Sequence, residues 1–567
     1  MNANKRKFAG SRGLFARSRV LFSRLILALA VSLLGAQGCE RLQPPADTLV
    51  IAQAAEPRSL DPHVTTALND FRILVNLYEG LVRYRPGTLE PAPGLAESWT
   101  VSEDGRTYRF RLRSGVRFHD GSPFDAAAVR FNFGRMLDPE HPFHDTGPFP
   151  LAFFFEQVER VVVDGPLTVR FELSEPFAPF LSNLAYPTAL MVSPAAVRRW
   201  GKDYGRHPSG TGPFRLADWQ RGGQVRLARF DGWHGGRAPL RQVIFRPLTD
   251  PMTRVAELMA GGVDLALELS PDNVAAFRER AGYRVLEATG PHLWFLILNT
   301  RHGPLADVRV RRALNHAIDR ETLVRDVLRR TAVVADGPVP RAFTWAFDPD
   351  LPGYDYDPAR ARELLAAAGY ADGLALTFLV PRGGSGMLAP LAMATAIQGD
   401  LARVGVQAKI QSFEWNAYLA RVNDGLGADA DLAEMAWMTN DPDTLPYLAL
   451  RCDAEPAQGG FNSGYYCNPE VDRLIEQARA ATDRAERARL YHALARLVQH
   501  DAPWVTVASW RQNLVLRGGV QGIRLEPSFA LRLGSASKAG TPSSAGAASP
   551  VVGAALSVPR PAVRQDA

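Results

Sequence analysis

The chain has little cysteine: 567 residues contain three, Cys39, Cys452 and Cys467. That is too few for a cysteine-based metal centre, and no histidine cluster makes up the difference. The order Gly-x-Ser-x-Gly, the phosphate-cradling Gly-x-x-x-x-Gly-Lys loop, the dinucleotide fingerprint and the His-Glu-x-x-His pair are all missing, so no familiar catalytic centre is written in the chain. A basic surplus is also missing once the charge is located. The formal charge is +6, but residues 1–38 hold seven cations and no acid, which leaves the remainder at −1. A phosphate backbone needs clustered Lys and Arg, so nucleic acid is excluded as the natural partner. After Cys39 no apolar run is long enough to span a bilayer.

What is present begins with the leader. Lys5, Arg6, Lys7, Arg12, Arg17, Arg19 and Arg24 precede an apolar stretch, Leu25 to Leu34, interrupted by Ser32 alone. A stretch of about ten residues is half of the roughly 20 that a spanning helix requires, and the pattern is that of a signal peptide over residues 1–38. It ends in Gly35-Ala36-Gln37-Gly38-Cys39, which resembles a bacterial lipobox, with Ala36 and Gln37 standing where such boxes have Leu and a small residue. Lipidation of Cys39 is expected, the alternative being ordinary cleavage nearby. Export also permits a disulfide. Cys452 and Cys467 are expected to close a loop of about 15 residues, a stabilisation of roughly 3 kcal/mol, against two buried free thiols.

More than 500 residues exceed one core, so several lobes are expected. Residues 39–47 read as a tether, and 534–567, rich in Ala, Ser, Gly and Pro, as a disordered tail. Strict alternation in Arg106-Thr-Tyr-Arg-Phe-Arg-Leu-Arg113, and again in Thr168 to Leu173, predicts half-buried strands. Helices follow later. Asp357 caps one with Pro358 at its first position, Ala361, Leu364, Leu365 and Ala368 inward and Gly369 as its stop. Asn468-Pro469 starts a second, with Val471, Leu474, Ile475 and Ala478 inward. Asp483 with Glu486 forms a capping box for a third, carrying Leu490, Leu494, Leu497 and Val498. The fold class is mixed α/β.

Blocks spread over residues 48–530 then occur in a telling order. Pro93-Gly-Leu-Ala-Glu-Ser-Trp-Thr-Val-Ser-Glu-Asp-Gly-Arg-Thr-Tyr108 runs on through Leu112 to Gly121 and Pro123-Phe124. Gly210-Thr-Gly-Pro-Phe214, Phe230-Asp-Gly-Trp233, Ala260-Gly-Gly-Val-Asp264, Asn299-Thr300, Val308 to Leu314 and Tyr356-Asp-Pro358 follow. Together they resemble the family of periplasmic oligopeptide-, dipeptide- and nickel-binding proteins of ABC importers. Val404 to Ile410, Phe413-Glu-Trp415 and the cysteines around Phe461-Asn-Ser463 are most similar to its dipeptide-binding and Sap-type branches. The resemblance implies a periplasmic-binding-protein-like fold with a two-lobed cleft and an additional inserted lobe. Its parts would be 48–80, 206–290 and 505–533 for the main lobe, 81–205 for the inserted second lobe and 291–504 for the third. It further implies a peptide ligand held between main and third lobes, an ABC permease and ATPase as partners, no cofactor and no catalysis. A monomer tethered in the periplasm by its lipid is expected. A non-peptide solute (haem, a metal chelate or a sugar) and a chemosensory receptor are the alternatives.

An importer's receptor needs reversible capture and a change of shape, and a zwitterionic peptide offers an ammonium and a carboxylate to grip. Relatives hold the ammonium with an Asp after a Gly-Trp pair. The corresponding stretch, Ala436-Trp437-Met438-Thr439-Asn440-Asp441-Pro442-Asp443, is two residues shorter, so Asn440 or Asp441 takes that place, or Asp441 to Asp443 only caps a helix. Trp437 is read as cleft floor or core, with Thr439 beside it. The carboxylate-binding Arg of relatives falls at Gly384, with Arg382 two residues earlier, either swung in or solvated. Trp415, Trp294 and Trp345 are further cleft candidates. His141 and His144, separated by Pro142, read as a surface turn rather than a metal site.

Overall fold

The computed structural model describes residues 45–384 and 386–539. The leader, Cys39 and the chain beyond Ala539 lie outside the described residues. Among the described residues no helix is long and apolar enough to cross a membrane.

The alternating segment forms the strand Thr107–Leu112, with Tyr108, Phe110 and Leu112 buried. It lies in a four-stranded antiparallel sheet, in the order Ala96–Val101, Thr107–Leu112, Thr168–Leu173, Val158–Gly165. The helix Ala126–Leu137, capped by Asp125 through Ala128 N–H, covers this sheet. Phe110, Phe118, Phe133, Phe155 and Phe171 fill the space between with no exposed surface. Each such ring contributes roughly 1.5–3 kcal/mol, so the inserted lobe has a core of its own.

The other two lobes share one twelve-stranded sheet. Ten of its strands run in order from Val406–Phe413 through Leu374–Pro381, Leu432–Met438, His292–Leu298, Trp504–Arg517, Leu265–Leu267, Thr48–Gln53 and Gln242–Pro247 to Val225–Arg229 and Phe214–Trp219, and the other two, Tyr283–Thr289 and Ala332–Val334, pair with Trp504–Arg517 off this path. Leu374–Pro381 and Val406–Phe413 pair in parallel, joined by the helix Pro390–Ala402, as parallel strands require a crossover. The 14-residue strand Trp504–Arg517 belongs to two cores. Val505, Val507 and Ala508 pack in the third lobe, whereas Leu514 and Leu516 pack in the main lobe. The passage between these lobes, between Ala508 and Leu514, is therefore a continuous strand rather than a loop, because both halves find partners, His292–Leu298 on one side and Leu265–Leu267 with Tyr283–Thr289 on the other.

The three helices stand as Pro358–Ala367, Pro469–Ala480 and Arg484–Asp501, capped by Asp357, Asn468 and Asp483. In the last, the buried face differs from the expectation. Arg487, Tyr491, Leu494, Ala495 and Val498 are buried, while Leu490 and Leu497 are only partly so. Arg487 is on the buried face because it pairs with the buried Asp441 at 2.8 Å. The disulfide Cys452–Cys467 is formed across a separation of 15 residues.

Two expectations at the chain ends need correction. The tether ends before Asp47, whose carboxylate pairs with Arg241. Residues 534–539, assigned to the tail on composition, are part of the fold. Ser537–Lys538 pairs with Val520–Gln521, Ala536 is fully buried, and Lys538 Nζ lies 2.9 Å from Asp264. Small residues give no burial signal in a sequence, yet their backbone pairs readily.

Glycines in the family-like blocks mark close backbone approach. A Cβ on Gly94 would stand 2.4 Å from Gly80 O, and one on Gly210 would stand 2.2 Å from Leu77 O. Both contacts press the chain around Tyr78–Tyr84 into place, and that chain walls the cavity described next.

Candidate functional site

A cavity of about 330 Å³ lies where the lobes meet. Its walls come from the helix Leu68–Leu77 and the chain after it, from Ala185 to Leu190, from Pro291 and Met438 to Asn440, and from Ser528 to Ser535. Phe71, Tyr186, Trp233 and Phe529 supply aromatic surface, and Glu79, Arg83 and Arg532 supply charge.

The position of Arg532 follows from its neighbours. Leu531 and Leu533 are fully buried in the main-lobe core, and Asn76 holds both. Its Nδ2 donates to Leu531 O at 2.8 Å, and its Oδ1 accepts from Leu533 N–H at 2.8 Å. Alternate residues of an extended chain face opposite ways, so Arg532 is turned to the cavity. Burial lowers its pKa, and the neighbouring Arg83 lowers it further, against the charges of Glu79 and Glu526. Glu79 Oε2 accepts from Thr211 Oγ1 at 3.0 Å, Trp233 Nε1 at 3.3 Å and His234 Nε2 at 3.0 Å.

Beside the cavity the third lobe is clasped to the inserted lobe. Asp441 accepts from Arg487 Nη2 at 2.8 Å and from Ser182 Oγ at 2.8 Å, and Asn440 Nδ2 donates to Asn183 Oδ1 at 2.5 Å. Arg479 pairs with Asp443 at 2.8 Å, while its carbonyl accepts from Ala178 N–H at 2.7 Å. Burial raises the Asp443 carboxyl to about 6 and outweighs the opposing charge of Arg479. For Arg487, burial alone would lower the pKa, but the charges of Asp441, Tyr491 and Asp443 hold it above the ordinary arginine value.

The residues singled out in the sequence are dispersed by this geometry. Thr439 and Asn440 line the cavity, and Thr439 donates to Pro291 O through both N–H and Oγ1. Asp441 does not line it. Its oxygens face Arg487 and Ser182, beside a second cavity of about 220 Å³ that also includes Trp345. Trp437 packs edge-on against Phe461, 5.1 Å between centroids, and lines a different crevice. Arg382 is exposed. Trp415 stacks on Tyr418 and covers Gly384, where a Cβ would meet its ring at 2.3 Å. Trp294 is wholly inside the third-lobe core. His141 packs on Phe131, and His144 Nδ1 lies 3.1 Å from Arg135 O.

Sequence reasoning passed over Glu79, Arg83 and Arg532. A weak signal existed in Leu531-Arg532-Leu533, where a charge interrupts an apolar alternation. The partner that fixes it, Asn76, is 455 residues away.

A model of "Bacterial extracellular solute-binding proteins, family 5 Middle" matches residues 90–458. Di/tripeptide-binding protein 2 of Pseudomonas aeruginosa (strain UCBPP-PA14) is 32% identical over 531 residues, 91% of this chain and 98% of that protein. The dipeptide-binding protein of Escherichia coli (strain K12) is 31% identical over 521 residues, 88% of this chain and 96% of that protein. Among solved structures, the dipeptide-binding protein of Pseudoalteromonas sp. SM9913 in complex with Met-Leu superposes with a TM-score of 0.73 at 28% identity, over 87% of this chain and 100% of that one.

Proposed function

The chain belongs to the bacterial extracellular solute-binding proteins of family 5, and from that premise we propose that it captures short peptides outside the cytoplasmic membrane and delivers them to an ABC importer. The observation that carries this reading is the cavity itself. Elements of all three lobes wall it, so an occupant that touches them together favours the closed arrangement that a permease can sense. At about 330 Å³ it stands at the small end of the roughly 300–1,000 Å³ typical of small-molecule sites, which suits di- and tripeptides better than long chains.

The role is binding rather than catalysis, and no cofactor enters it. The protein acts as a periplasmic monomer held to a membrane by lipid on Cys39, with the permease and ATPase as partners. The main lobe is divided into 48–80, 206–290 and a C-terminal part that runs from the far half of Trp504–Arg517 to residue 539, the inserted lobe spans 81–205, and the third lobe runs from 291 into that shared strand. Replacing Cys39 with Ser is expected to move the mature protein from the membrane to the soluble fraction.

Calorimetric titration of the unfolded-and-refolded, ligand-free protein with di- to pentapeptides tests the central claim. Saturable binding that weakens beyond three residues is expected. No response to any peptide, alongside a clear response to a sugar, haem or metal chelate, would refute it.

A further inference from the structure

We propose that Arg532, backed by Arg83, is the carboxylate anchor of this cavity; the assignment rests on the peptide reading above. Among the described residues, neither guanidinium makes a side-chain hydrogen bond or an ion pair. That is unusual for Arg532, which is half-buried between two fully buried leucines with its pKa lowered by burial, while Arg83 stands exposed at the rim. A desolvated cation without a partner is costly, and two cations facing one space repel each other. Both costs are relieved by one anion between them.

The acids nearest to Arg532 do not supply that anion. Glu79 Oε2 is committed to Thr211, Trp233 and His234, and Glu526 Oε2 accepts from Gly87 N–H at 2.6 Å. Neither forms an ion pair with Arg532 among the described residues. Glu79 has the opposite effect on a ligand: it places a negative charge on the same cavity, which favours a zwitterion over a simple anion. Arg382 is exposed and is not part of the cavity wall, so it does not compete for the role.

The assignment makes the ligand's free carboxylate a determinant of affinity. Refolded, ligand-free full-length mature protein is titrated calorimetrically with Ala-Leu and with Ala-Leu amide. The wild type is expected to prefer the acid by about ten- to a hundredfold, the range of a charge-assisted hydrogen bond. Arg532→Gln is expected to lose that preference by weakening the acid alone, Arg532→Lys to retain part of it, and Arg382→Gln to leave it intact. The wild-type acid-to-amide ratio needs no variant to fold, and circular dichroism checks those that are made. Equal binding of acid and amide by the wild type, or an undiminished preference in Arg532→Gln, overturns the anchor while leaving peptide binding in place. Failure of the wild type to bind either compound or any peptide overturns both.

Discussion

Replacing Asp441 with Ala offers a stringent test of the buried pair beside the cavity. Its side chain is 1% exposed and that of Arg487 is 9% exposed, so the pair is desolvated and not comparable with a surface ion pair. Removing the carboxylate leaves Arg487 with Ala478 O and Tyr491 Oη as partners but with no counter-charge in contact, and leaves Ser182 Oγ and Asp443 N–H without their acceptor. Breaking a buried pair on one side costs about 3–5 kcal/mol, whereas replacing both partners by apolar groups is often nearly neutral. Urea unfolding of ligand-free protein should therefore show Asp441→Ala destabilised by about 3–5 kcal/mol, with Asp441→Leu/Arg487→Met recovering most of it. The same variant should weaken Ala-Leu and its N-acetyl form by one common factor, because it lowers the closed population rather than removing an ammonium contact. A cost below about 1 kcal/mol, the value of an exposed pair, would refute the desolvated Asp441–Arg487 pair. Loss confined to peptides with a free ammonium would instead make Asp441 a ligand contact.

Three further outcomes follow from single sites. Glu434 is fully buried with neither carboxylate oxygen hydrogen-bonded among the described residues, and burial raises its pKa well above the usual carboxylate value. Its contribution is therefore favourable below the unfolded-state pKa and is lost as pH rises through the folded one, so Glu434→Leu should stabilise by about 1–3 kcal/mol at neutral pH and flatten the pH profile of urea midpoints. Reducing Cys452–Cys467 should cost about 3 kcal/mol, read by unfolding with and without reductant alongside thiol labelling. Gly94→Ala drives a Cβ to 2.4 Å from Gly80 O, a backbone atom with no freedom to swing aside. A loss of about 1–3 kcal/mol in stability is expected, read by urea unfolding.

Local structure was readable where it depends on near neighbours. Asp357, Asn468 and Asp483 each accept from an N–H two or three residues on, and alternation at Tyr108, Phe110 and Leu112 places one face of a strand inward. The site was less readable. In the short stretch after Trp437, Thr439 and Asn440 line the cavity, but Asp441 points to Arg487 and Ser182, at 46 and 259 residues' distance. Arg382 was suggested by alignment to a loop, and that loop stays outside the cavity.

The class of fold, the helix starts and the family were legible in the sequence alone, because these rest on periodicity and ordered short blocks. Only the tertiary structure decided which charges meet. It tied Glu79 to Thr211, turned Arg532 away from the core that holds Leu531 and Leu533, and locked Asp441 to Arg487. The physical reason is that a charge's role depends on what desolvates and faces it, and here those groups lie tens to hundreds of residues away in the chain.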